Sequence, residues 1–145
     1  MSAALQAALE RGSFFCKRVM GLAGRGPACV GFSLEHPEDP GCEPFASVWA
    51  TSEMQQLLAS RSAASVGLDL CRFGAPSRKP TRVAGVLPDL ESLGLRCCHR
   101  SHPVRLEGRS AIGGFATAAA QAYPPAFNAA LAARHLAHAA LARHG

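Results

Sequence analysis

The feature that most constrains how this 145-residue chain folds is a pair of short apolar runs with a basic turn between them. Val66, Leu68 and Leu70 alternate with Gly67 and Asp69, which is the period of a strand. Arg82 to Val86 forms the second run, and Cys71 to Thr81, containing Arg72, Arg78 and Lys79, lies between the two. That turn is too short to hold a crossover helix, so the two strands are expected to pair antiparallel.

Upstream, Ala28 to Leu34 is apolar nearly throughout, as in a strand buried on both faces of a parallel sheet, and Glu35 ends it. His36 to Ser47 holds Pro37, Pro40, Gly41 and Pro44 with three acids, and is expected to be an irregular loop. Thr51 is a good helix cap, Glu53 suits the positive end of the helix dipole, and Met54, Leu57, Leu58 and Arg61 carry the helix to about Ser62. Strand, helix and strand make a βαβ unit with right-handed crossover and parallel strands. Carboxyl ends of parallel strands open into one crevice, so Glu35 is expected to face the basic turn.

The remaining segments add helices. Ser2 to Glu10 and a second helix capped by Ser13, carrying Phe15, Val19 and Leu22, fill the N-terminal region. Gly21, Gly24 and Gly26 end the second helix instead of joining a strand to one, so they fit neither the dinucleotide fingerprint nor the P-loop. Pro88 to Gly94 is a single helical turn with Leu90 and Leu93, and Val104 with Leu106 suggests a short edge strand. Phe115 to Ala122 is helical in tendency, and Pro125 opens a last helix. On it Phe127, Leu131, Arg134, His138 and Leu141 share one side and Leu136 faces the other; His135 and His138, three apart, could bind metal, but a partly exposed amphipathic helix is the expectation. The chain thus divides into N-terminal helices (1–27), an α/β core (28–113) and a C-terminal helical segment (114–145). A hydrophobic fraction of 48% with only 6% aromatics supports one domain with a core of small and aliphatic side chains.

Charge and cysteine usage narrow the partners. A net charge of +5 favours contact with phosphates or other anions. Met1 to Glu10 has neither a basic n-region nor a continuous apolar h-region, and no apolar run approaches the ~20 residues that span a bilayer. The six cysteines are therefore expected to be reduced thiols of an intracellular chain, cytoplasmic or nuclear, with no membrane partner. In Arg96-Cys97-Cys98-His99-Arg100-Ser101-His102, Cys97 or Cys98 with His99 and His102 could supply three zinc ligands and Cys71 a fourth. There is no paired C-x-x-C knuckle, adjacent residues cannot all face one ion, and the arginines oppose a cation. The sequence therefore assigns no metal, and Cys71, Cys98, His99 and His102 stand as candidates only.

Phe73-Gly74-Ala75-Pro76-Ser77-Arg78-Lys79-Pro80-Thr81 before an apolar strand resembles the aromatic-Gly-Val-Pro-Gln-x-Arg-x-Arg segment of cytosine-5 DNA methyltransferases. Glu35-His36-Pro37 resembles that family's Glu-Asn-Val or Glu-Asn-Pro motif, and the two together cover about residues 28 to 90. The resemblance implies that Glu35 is the catalytic carboxyl that holds a flipped cytosine. It also implies that Arg78, Lys79, Thr81 and Arg82 form the nucleic-acid-facing group. Lys79 and Thr81 fall on the two arginines of the motif, where Lys keeps the charge without the fork and Thr loses it. His36 replaces the usual Asn. No Pro-Cys pair exists to act as nucleophile, and the glycine-rich loop for S-adenosylmethionine would also lie upstream. The expected fold is accordingly α/β, a partial Rossmann-like (doubly wound) sheet of about three strands with flanking helices. The expected protein is a methyltransferase-like fragment, inactive alone, that faces DNA or RNA. It would use S-adenosylmethionine only if a larger polypeptide or second chain completed the fold. The alternative is a non-enzymatic nucleic-acid or protein interaction module of a mobile-element type, zinc-stabilised or not.

Overall fold

Pro80–Gly85 is the strand on which the other elements are assembled. Thr81, Val83 and Ala84 are fully buried in it, and Pro80, which has no N–H to give, occupies the first position, where a central strand tolerates proline. The computed structural model describes residues 31–42, 47–61, 63–106 and 122–144. Within them the order is β1 (Ser33–Pro37), α1 (Ser52–Ser60), β2 (Ala64–Asp69), β3 (Pro80–Gly85) and α2 (Pro125–His144). Tight helical turns at Val48–Ala50, Leu70–Phe73 and Leu90–Leu93 join them. The expected N-terminal helices, the beginning of the first strand and all but the last residue of the helical stretch 115–122 lie outside the described residues.

The sheet is small, open and antiparallel, with order β1-β3-β2. Leu34 pairs with Ala84 and Glu35 with Val83, while Val66 pairs with Val83 and Leu68 with Thr81. The expected antiparallel pairing of β2 and β3 is present, and β1 and β2 do run in the same direction. They are not neighbours, however, because β3 lies between them, so the parallel pairing is corrected. The reason is composition: β3 is the most completely buried strand and belongs in the centre, whereas β1 carries His36 and Pro37 exposed and suits an edge. A second correction concerns bounds. β1 runs through Glu35 to Pro37 instead of ending at Leu34, so Glu35 sits in mid-strand and His36 and Pro37 belong to the strand and not to the loop. Likewise β3 begins at Pro80, which takes Thr81 out of the turn.

Each face of the sheet has its own core. On one, Leu34 and Ala84 pack against Val48, Trp49, Met54 and Leu57. Thr51 caps α1 by accepting the Met54 N–H at 3.3 Å, a cap worth about 1 kcal/mol. The Trp49 indole donates to the Pro37 carbonyl at 2.8 Å and ties the end of β1 to the Val48–Ala50 turn that precedes that helix. On the other face Val83, Leu68, Leu70, Leu87, Leu90, Leu93 and Phe127 form the second cluster. Arg134 on α2 donates to the Asp89 carbonyl at 2.9 Å and fastens the helix to the Leu90–Leu93 turn. The expected helix side holds for Phe127, Leu131, Arg134 and His138, which are buried or half-buried, but Leu141 is as open to solvent as Leu136. His135 is engaged with the Ser33 hydroxyl at 2.8 Å. Val104 and Leu106 lie in irregular chain, not in the edge strand expected of them. No described helix is long and apolar enough to cross a membrane.

Candidate metal centre

The residues expected to form a nucleic-acid site take different partners. Glu35 accepts the Tyr123 hydroxyl with one carboxylate oxygen, and its other oxygen is buried without a hydrogen-bond partner. Burial, followed by the hydrogen bond and charge of Glu35, raises the Tyr123 pKa above its ordinary value. Lys79 places its ammonium 5.0 Å from the centre of the same ring, so acid and turn do meet, through an aromatic side chain that the sequence reading had not singled out. Arg78 turns instead to the fully buried Asp69, with Nε 3.2 Å from its carboxylate. Thr81 is buried and donates to the Lys79 carbonyl at 3.2 Å. Arg82 stacks 5.8 Å from the Trp49 ring, with one nitrogen 3.9 Å from Glu38.

Glu38 is the acid that stands just past the end of β1. It accepts both terminal nitrogens of Arg96 at 2.7 Å, and this hydrogen bonding lowers its pKa although burial opposes the shift. The pair lies directly over Gly67, where a Cβ would meet the Arg96 guanidinium and the Glu38 carboxylate and make these flexible ends shift.

Beyond this ion pair the chain brings together four donors. Cys71 lies in the turn that ends β2, and Cys97, His99 and His102 come from the irregular segment after the Leu90–Leu93 turn. One ligand atom from each lies within 4.8 Å of every other. Cys97 Sγ is 3.6 Å from His99 Nδ1 and 3.4 Å from His102 Nε2, close to the edge of about 3.6 Å that tetrahedral zinc with ordinary Zn–S and Zn–N bonds would require. The two imidazoles meet edge to face with centres 5.4 Å apart. Burial, together with the hydrogen bond and charge of Cys97, pushes the Cys71 thiol up to about 11. A cation reverses that preference, because a thiolate is the form that binds metal.

The supporting residues explain which thiol joins the cluster. Asp69 accepts the Cys97 backbone N–H at 2.8 Å while holding Arg78 with its other oxygen. Its own N–H donates to the Leu95 carbonyl at 3.0 Å, so the segment bearing Cys97 is stitched to the end of β2 on both sides of the peptide chain. Cys97 then lies with His99 and His102, and Cys98 instead accepts from Arg72 at 2.6 Å. Of the sequence candidates, Cys71, His99 and His102 are thus brought together and Cys98 is replaced by Cys97. The two-residue spacing of Cys97 and His99 was the signal that could have chosen between the adjacent thiols.

Fold and site together describe a small mixed α/β chain with a two-cysteine, two-histidine cluster at the end of a sheet. Compared with models of protein families, with curated proteins and with solved structures, the chain matches none.

Proposed function

We propose that the chain is a zinc-stabilised interaction module, non-enzymatic, with affinity for nucleic acid. The observation that carries this reading is the set of four donors, Cys71, Cys97, His99 and His102, within 4.8 Å of one another. Two thiolates and two imidazoles suit zinc, and four protein ligands close its tetrahedral shell and leave no position for a reacting water. Such a site ties elements together, here the end of β2 to the segment after Leu93, and its binding energy becomes folding energy. Among the described residues this segment has no strand or helix of its own. The formal charge of +5 supports an anionic partner. Elemental analysis of the purified full chain tests the reading: one zinc per chain is expected, with a large fall in unfolding temperature on chelation. Metal-free protein whose unfolding temperature ignores added zinc would end it.

A second reading keeps the cytosine-5 methyltransferase resemblance and a remnant of a doubly wound sheet. What supports it is the common direction of β1 and β2 on either side of α1, and the meeting of Glu35 and Lys79 at Tyr123. Under this reading Glu35 faces a base, the basic turn faces the backbone, and S-adenosylmethionine enters only with a partner that supplies the missing loop and nucleophile. It requires DNA binding that weakens with salt and disappears when Arg78→Ala and Lys79→Ala are combined. Binding indifferent to salt and to both changes removes this reading and leaves the zinc module standing.

A further inference from the structure

Three arginines line a cavity beside the cysteine–histidine cluster, and among the described residues no acid engages two of them. Arg78, Arg100 and Arg105 converge on a space of about 490 Å³, with Ser101, Val104 and Leu106 completing its wall next to His102. Among the described residues neither Arg100 nor Arg105 has a hydrogen-bond or ion-pair partner. Arg78 is anchored through Nε to Asp69, yet 57% of its side chain remains exposed. Among the described residues no carboxylate lines the space. Three guanidinium groups around one cavity repel one another, and a bound anion converts that repulsion into attraction.

The chemistry of the wall narrows the anion. A guanidinium offers a planar fork that takes phosphate oxygens in pairs. The cavity is far larger than a lone phosphate needs, and Val104 and Leu106 supply apolar surface against which a base can lie. Arginine planes also stack on bases. We propose that this cleft binds a nucleoside phosphate, with the phosphate on the guanidinium groups and the Ser101 hydroxyl and the base against Val104 and Leu106. This rests on the zinc reading, because Cys97, His99 and His102 hold the segment that carries Arg100, Ser101 and Arg105.

Calorimetric titration of the zinc-loaded full chain with adenosine monophosphate, with single-stranded oligothymidylate and with inorganic phosphate tests the inference. Saturable binding of a nucleotide form is expected, weakened about a hundredfold by Arg100→Ala and Arg105→Ala together, from about tenfold for each charged hydrogen bond lost. Zinc content and unfolding temperature of that variant stay at the parent values, because both side chains are exposed. Equal affinity for the mononucleotide and the oligonucleotide assigns the cleft to free nucleotides. Tighter oligonucleotide binding that falls steeply with salt assigns it to a strand. Three results overturn the proposal: no binding by zinc-loaded protein, binding untouched by the double change, or inorganic phosphate bound as tightly as the nucleotide. A chain that holds no zinc defeats the module reading itself, whereas zinc bound without nucleotide defeats only the cleft.

Discussion

At the scale of single residues, adjacent side chains of similar chemistry have opposite fates. Cys97 joins the donor cluster, with its N–H fixed by a buried carboxylate, and Cys98 turns to Arg72. Cys97→Ser is therefore expected to abolish stoichiometric zinc binding, and Cys98→Ser to leave it intact, as read by elemental analysis of both variants. The acids divide similarly. Glu35 was legible as the acid of the first strand, but the residue that forms the strong ion pair is Glu38, whose partner Arg96 is too distant in sequence for any local pattern to reveal. Arg96 holds the Glu38 pKa below its ordinary 4.5, so the carboxylate stabilises the fold above that value and the contribution is lost as pH falls through the lowered one. Glu38→Gln should cost about 1 kcal/mol at neutral pH, since half of the Arg96 side chain is solvated, and the gap from the parent should close in acid. Urea unfolding from neutral pH to about pH 3 measures both the cost and its disappearance.

Elements were legible where their signal is local. The cap and apolar spacing of α1, the alternation of β2 and the proline that opens α2 are all carried by a few neighbouring residues, and the helices and β2 formed close to the expected places. β1 was misplaced toward the N-terminus because a continuous apolar run suggests a strand buried on both faces. The pairing with β3 instead selects Ser33–Pro37, where polar residues are tolerated at an edge. α2 is held chiefly by its first half. Phe127 is nearly fully buried and meets Phe73 edge to face with ring centres 5.5 Å apart, whereas Leu136 and Leu141 are exposed. Phe127→Ala should accordingly cost about 3–5 kcal/mol in equilibrium denaturation, and Leu141→Ala close to nothing.

For the whole molecule, the sheet order and the donor cluster both depend on which segments come together across the fold. Three strands of the right kind could be read from the residues, but their order turns on a comparison among them: β3 takes the centre because it has the most surface to hide. Likewise the histidines and cysteines were visible, while their convergence needed Asp69 to bring the segment after Leu93 back to the end of β2. Under the proposed zinc reading, the division of donors between two stretches of chain would set the order of events during folding. Cys97, His99 and His102 lie within six residues of chain and can seize an ion before any sheet exists, whereas Cys71 reaches it only after β2 has formed and the chain has doubled back. Zinc should thus have measurable affinity for the unfolded chain, which subtracts from the stability that it gives to the native state. Refolding from denaturant in rising zinc is expected to speed up and then level off once the three-donor segment is loaded, and stopped-flow fluorescence of Trp49 would follow it. The last ligand to arrive would then register completion of the strand that delivers it.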